Sequence, residues 1–94
     1  MDLLGLLWDE ANEAHIIRHL VTRGEVIEVV FSSGAIFAVD DSQRRGRLLV
    51  FGTTAAGRYL MVVLDEPTTA GMAYVVTARP MSITERRDYE EVQE

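Results

Sequence analysis

Four apolar segments of strand length, separated by short connections, constrain the fold of this chain most strongly. They cover residues 35–40, 47–53, 58–64 and 72–79. The connections at residues 41–46 and 54–57 suit hairpins, because a parallel pair needs a crossover of about a dozen residues or more. The segment 58–64 is apolar on both faces, which predicts a central, covered strand. Pro80 lacks an amide hydrogen, so we expect the last strand to end before it, at Arg79.

Helix signals precede and follow these strands. Asp9 is a suitable N-cap for a first helix. Thr22 and Glu25 have the spacing of a capping box, as do Ser82 and Glu85. The predicted helices cover residues 10–21, the stretch from Thr22 to about residues 32–34, and residues 83–92. An apolar stretch at residues 3–8 could form a short buried strand.

This order of elements predicts the α+β class, with residues 1–94 forming a single domain. We expect two N-terminal helices, a four-stranded, mainly antiparallel sheet covered by helices, and a C-terminal helix.

The charge of the chain limits its partners. The net charge is −6, and all nine basic residues are arginines. A strongly acidic chain binds nucleic acid poorly without a local basic cluster, and its excess of negative charge favours a basic partner.

The absence of cysteine excludes disulfides and fits a reducing cytoplasm. The apolar start is too short to span a membrane and lacks the basic segment of a signal peptide, so we expect a cytoplasmic protein.

Arginines are the strongest candidates for a binding site. Thr77 and Arg79 share one sheet face by strand alternation, and the predicted hairpins place Arg47 beside them. A guanidinium suits phosphate, although pairing with the fifteen acidic residues is the alternative. His15 and His19 share a helix face, but a polar surface role is favoured over a metal site. His19 alone could transfer protons.

Several motifs occur in the order found in the BrnT family of toxins. They are Trp8-Asp9, Arg18-His19, residues 22–31, Arg47 to Gly52, Gly57 to Val63, Val76-Thr77-Ala78-Arg79 and Glu85-Arg86-Arg87-Asp88-Tyr89-Glu90. Together they cover nearly the whole chain, and the chain therefore resembles that family. It departs from the family pattern at Leu20, where glycine is expected, and at Gly46, where glutamate is frequent.

The resemblance implies a RelE-like fold, a ribonuclease activity without metal or cofactor, and a small, DNA-binding antitoxin partner. Arg47 and Arg79 would hold the scissile phosphate of an RNA substrate while the ribose 2′-hydroxyl attacks. His19 or Tyr89 would move protons, with Thr77 as hydrogen-bonding support. One alternative is an inactive member of the family that only binds an antitoxin. A second is an unrelated ligand-binding or dimerisation module.

Overall fold

The computed structural model describes residues 3–40 and 46–93 and confirms the α+β class. Its strands are β1 (Gly5–Leu7), β2 (Ile36–Asp40), β3 (Arg47–Thr53), β4 (Tyr59–Leu64) and β5 (Met72–Pro80), and its helices are α1 (Glu10–Ile17), α2 (Arg23–Val30) and α3 (Ile83–Gln93). No described helix is long and apolar enough to cross a membrane. The predicted turn at residues 41–46, apart from Gly46, lies outside the described residues, as do Arg44 and Arg45.

The sheet has five strands in the order β1-β5-β4-β3-β2. The pairs β2–β3, β3–β4 and β4–β5 are antiparallel, as the short connections predict. β4 occupies the centre, which confirms the expectation from its apolar pattern. A shift in register between Val63 and Leu64 interrupts the pairing of β4 with β5.

The fifth strand corrects the prediction of a four-stranded sheet. β1 pairs in parallel with the start of β5, with Gly5 opposite Met72 and Leu7 opposite Tyr74. The sequence indicates a short strand here, but local periodicity does not specify which strand pairs with it. Two helices and three strands separate β1 from β5 along the chain. This length supplies the crossover that a parallel pair requires.

The predicted end of β5 is also corrected. Pro80 belongs to the strand and lies opposite Leu60. Pairing continues just beyond it, because the Met81 amide donates to the Tyr59 carbonyl at 3.0 Å. Pro80 is tolerated because the bond from Met81 makes Leu60 and Pro80 a non-hydrogen-bonded pair, in which the nitrogen of residue 80 points away from β4, so no donor of the ladder is lost.

The predicted helix caps are confirmed at Asp9, Thr22 and Ser82. The first helix is shorter than expected, because α1 ends at Ile17. Leu20 adopts a left-handed backbone with φ of 59°. Its amide donates to the Ile17 carbonyl at 2.8 Å, and the Val21 amide donates to the Ile16 carbonyl at 3.2 Å. This pair of bonds is a Schellman ending.

The sheet has two differently covered faces. We call the first the two-helix face, because α1 and α2 pack on it. Its core consists of Ile16, Val21, Val26, Val29, Val30, Leu48, Val50, Leu60, Val62, Leu64, Ala73, Val75 and Ala78. An added Cβ at Gly52 would lie 3.1 Å from Val29 Cγ1, so glycine permits the close approach of α2 to β3. We call the other face the α3 face, because α3 covers one end of it.

Candidate functional site

Arg79 lies on the α3 face near the end of β5. It is in register with Met61 of β4, and Thr77 is in register with Val63, so the two side chains share this face as alternation predicts. Neither Thr77 nor Arg79 is fully exposed.

The guanidinium of Arg79 is held by a carboxylate. Arg79 Nη1 and Nη2 donate to Glu85 Oε1 and Oε2 at 2.7 and 2.9 Å, and Nη1 also donates to the Pro80 carbonyl at 3.0 Å. This two-point geometry is the strong form of an arginine–carboxylate pair. The bond from Arg79 lowers the pKa of Glu85 to about 2, and the same bond raises the pKa of Arg79. A phosphate would therefore have to displace Glu85 before it could use this fork.

Glu85 is positioned by the start of α3. The Ser82 amide donates to Glu85 Oε1 at 2.8 Å, and the Glu85 amide donates to Ser82 Oγ at 3.1 Å. The capping box therefore holds the carboxylate where β5 delivers Arg79. The sequence identifies Glu85 only as a capping residue. Its position six residues after Arg79, across the turn between strand and helix, is the signal that could have indicated the pair.

Two tyrosines and a second arginine lie beside this pair. The rings of Tyr59 and Tyr89 meet edge to face, with centroids 5.9 Å apart. The guanidinium carbon of Arg86 lies 4.0 Å from the centre of the Tyr59 ring. Tyr89 is buried, and its hydroxyl donates to the Gly34 carbonyl at 3.0 Å. This bond anchors α3 to the chain just before β2, which gives Tyr89 a structural role.

Arg47 shares the α3 face but lies far from Arg79. Arg47 lies four residues before Phe51 on β3. Phe51 is in register with Met61 of β4, and Met61 is in register with Arg79 of β5. At about 3.3 Å per residue and about 4.8 Å between strands, the two Cα atoms lie about 16 Å apart. Arg47 instead pairs with Asp65 at 3.2 Å. The expectation that the hairpins place the two arginines together is therefore wrong.

His19 lies on the opposite side of the sheet. It follows α1, which packs on the two-helix face, and its ring contacts His15 with centroids 5.6 Å apart. His19 is exposed. None of the described contacts joins His19 to Arg79, whereas Tyr89, the other candidate for proton transfer, lies beside the Arg79–Glu85 pair. The described residues contain no group of three or more side chains arranged to hold a metal ion.

Two clefts flank Tyr89 on the α3 face. The first, which we call the α3 cleft, has a volume of about 240 Å³ and is lined by Ile36, Phe51, Glu85, Asp88, Tyr89 and Val92. The second is more open, has a volume of about 370 Å³ and is lined by Thr53, Tyr59, Tyr89, Glu90 and Gln93. Each cleft combines apolar surface with carboxylates. Glu85 is paired with Arg79 and Glu90 with Arg86. Asp88 forms none of the ion pairs among the described residues, so the α3 cleft in particular favours a cation with an apolar stem.

A second surface lies at the opposite edge from β1. β2 exposes Phe37 and Val39, and on the same side of the sheet α2 exposes Ile27 and is followed by the exposed Phe31. Sequence reasoning did not single out these side chains. The available signal was that β2 carries apolar residues at consecutive positions, although only one of its faces can meet the core.

Comparison of the sequence with models of known protein families finds no match, and comparison with curated proteins finds none.

Proposed function

We propose that this chain is the toxin-like component of a toxin–antitoxin pair, and that its function is to bind a small, basic partner protein. The observation that carries the proposal is the two-point pairing of Arg79 with Glu85. This pair occupies the Arg79 fork beside Tyr59 and Tyr89, and Arg86, which lies over the Tyr59 ring, is itself paired with Glu90 at 3.6 Å. A surface whose guanidinium is already neutralised offers little to a phosphate.

The charge around the site supports the same choice. Asp88 adds an exposed carboxylate to the α3 cleft and forms none of the ion pairs among the described residues. Glu90 in the second cleft is paired with Arg86, and the more distant Arg47 is paired with Asp65. The net charge of −6 means that the whole molecule, and not only this face, favours a basic partner. A basic protein would be attracted to such a surface, and the attraction would mainly accelerate association. The motif order described above gives the partner its expected class, a small DNA-binding antitoxin.

The test is co-expression of this chain with the product of the adjacent reading frame, followed by measurement of association kinetics. We expect a complex at low salt and an association rate that falls as salt rises, because rim charges act on the rate of encounter. Absence of a complex at low salt would contradict the proposal.

RNA cleavage is the second candidate. It is favoured by the grouping of Thr77, Arg79, Arg86 and the two tyrosines on one face. In this mechanism the ribose 2′-hydroxyl loses its proton and attacks the adjacent phosphate. The bond to the 5′-oxygen of the next nucleotide breaks as that oxygen gains a proton, a 2′,3′-cyclic phosphate remains, and Arg79 offsets the growing negative charge. Arginine cannot be the base because it does not deprotonate in proteins. A phenol would have to transfer protons, and the Tyr89 hydroxyl would first have to leave the Gly34 carbonyl.

The two candidate functions predict different effects of substituting Glu85. If the chain cleaves RNA, Glu85→Gln should increase cleavage because it frees the arginine fork. Arg79→Ala should reduce cleavage by about 10²-fold, equivalent to about 2.7 kcal/mol of transition-state stabilisation. If the wild type and Glu85→Gln both leave varied RNAs intact, the binding function stands alone.

A further inference from the structure

The edge strand β2 lacks the protection that edge strands usually carry. Natural edges are shortened, bulged, or guarded by charge or proline, because an open edge pairs with other chains. β2 is in unbroken register with β3 over its whole length, and no other described strand pairs with it. Its middle residues Phe37, Ala38 and Val39 are uncharged and exposed. The other edge, β1, has only three residues.

On the two-helix face, this edge presents an apolar surface. Phe37 is in register with Val50 and Val39 with Leu48, so both point to the side of the sheet that α2 covers. They are 46% and 61% exposed. Ile27 and Phe31, one helical turn apart, are exposed on the same side. An added strand would therefore bury apolar side chains here.

On the α3 face, the same edge leads to the α3 cleft. Ile36 is in register with Phe51, and both line this cleft with Asp88 and Val92. Asp88 takes part in none of the ion pairs among the described residues. A side chain beside Ile36 on an added strand would lie at the mouth of the cleft. The best fit is arginine or lysine, with its stem on Ile36 and Val92 and its cation near Asp88.

We propose that the outer edge of β2 is a strand-addition site for a partner segment in which apolar and basic residues alternate. Main-chain hydrogen bonds to β2 would supply affinity, and the two differently lined faces would select the alternating pattern. The inference rests on the proposed function for the basic character of the partner. It adds the docking position and the conformation of the segment.

Charge decides between this occupant and a second copy of the chain. Antiparallel pairing of two β2 strands would bury Phe37 and Val39. It would also bring together two molecules that each carry a net charge of −6, and β2 itself, Ile36–Asp40, contains no basic side chain that could enter the α3 cleft. A segment in which apolar and basic residues alternate would place apolar side chains beside Phe37 and Val39 on the two-helix face and a cation near Asp88 on the α3 face.

The test uses a fluorescein-labelled, capped seven-residue peptide in which arginine and valine alternate. Binding is measured by fluorescence anisotropy at low salt. Two further peptides carry N-methyl groups, one on every arginine and one on every valine. A strand uses only one edge in pairing, so one methylated peptide should lose binding and the other should retain it. Equal binding by both methylated peptides would overturn the proposal, because binding would not depend on main-chain pairing.

Protein variants locate the site. Asp88→Asn should weaken peptide binding about two- to fivefold, as expected for an exposed charge pair. Its control, Glu10→Gln, makes the same charge change on the first turn of α1. Val39→Thr should also weaken binding. Its control, Ile17→Thr, changes a side chain of matching exposure, 62% against 61%. Equal effects of the variants and their controls would overturn the proposal.

Failure of this inference can be separated from failure of the proposed function. The same variants are tested in the complex with the adjacent gene product. A complex that forms but is insensitive to Val39→Thr and Asp88→Asn would remove the docking site and leave the function intact. A β2-mediated dimer of the free chain, detected by sedimentation and dissociated by Val39→Thr, would assign the edge to a second copy and overturn the proposal.

Discussion

Replacing Leu20 with glycine should stabilise this protein. Leu20 is the non-glycine residue with a positive φ among the described residues, and it occupies the position after α1 at which helices favour glycine. A left-handed backbone costs a residue with a Cβ about 1–2 kcal/mol. Glycine removes this cost.

The structure also sets the opposing contributions. The Leu20 side chain is 81% exposed, so its removal sacrifices little apolar burial. The Leu20 carbonyl accepts a bond from Arg58 Nη1 at 2.8 Å, and this backbone contact does not depend on the side chain. Glycine adds conformational freedom to the unfolded chain, which costs about 0.4–1 kcal/mol. The net expectation is a gain of about 0.5–1 kcal/mol.

The assay is thermal and urea unfolding of the wild type, Leu20→Gly and Leu20→Ala. For a domain of this size, the expected gain raises Tm by about 2–8 °C. Leu20→Ala is the control because alanine keeps the Cβ and its strain, so it should give no gain. A glycine variant that melts at or below the wild-type temperature would show that the left-handed backbone of Leu20 does not destabilise the protein.

Three further predictions concern the α3 face and the core. The pKa of Glu85 lies at about 2 in the folded state, below its ordinary value of 4.5, so stabilisation by the pair with Arg79 is complete above about pH 4.5 and is lost as the pH falls toward 2. After allowance for partial exposure this stabilisation is about 1–2 kcal/mol, and Glu85→Gln should flatten that part of an acid-unfolding profile. Tyr89→Phe should cost about 0.5–1 kcal/mol in urea unfolding, because the Gly34 carbonyl keeps its bond from Gln93; an unchanged midpoint would contradict the anchoring role. Gly52→Ala should lower Tm by several degrees because the new Cβ would lie 3.3 Å from a backbone oxygen of α2, and unchanged melting would show that the helix yields easily.

Local sequence signals predicted the elements of this fold well. Strand boundaries from β2 to β5 follow the apolar segments closely, and the capping residues of the three helices are those that the sequence indicates. These features depend on neighbours a few residues away. The early end of α1 depends on Leu20 adopting a backbone that leucine disfavours, so the residue type gave no warning. The place of β1 depends on pairing across most of the chain, which local periodicity does not contain.

The candidate site shows a different limit. Arg47 begins β3 and Arg79 lies near the end of β5, and these two strands run in the same direction because both are antiparallel to β4. The start of one and the end of the other therefore lie at opposite ends of the sheet. The predicted order of antiparallel strands therefore already implied that Arg47 and Arg79 lie far apart. By contrast, the pairing of Arg79 with Glu85 depends on the direction of α3 after the turn, which the sequence leaves open.

Amide hydrogen exchange of β2, followed by NMR in the free chain and in its complex with the adjacent gene product, tests whether a partner strand pairs with β2. We expect outward-facing amides between Ile36 and Asp40 to exchange rapidly in the free protein and to become protected in the complex. Amides of β3 and β4 should remain protected in both states. A complex in which the β2 amides keep their free exchange rates, or a failure to form any complex at low salt, would contradict the account.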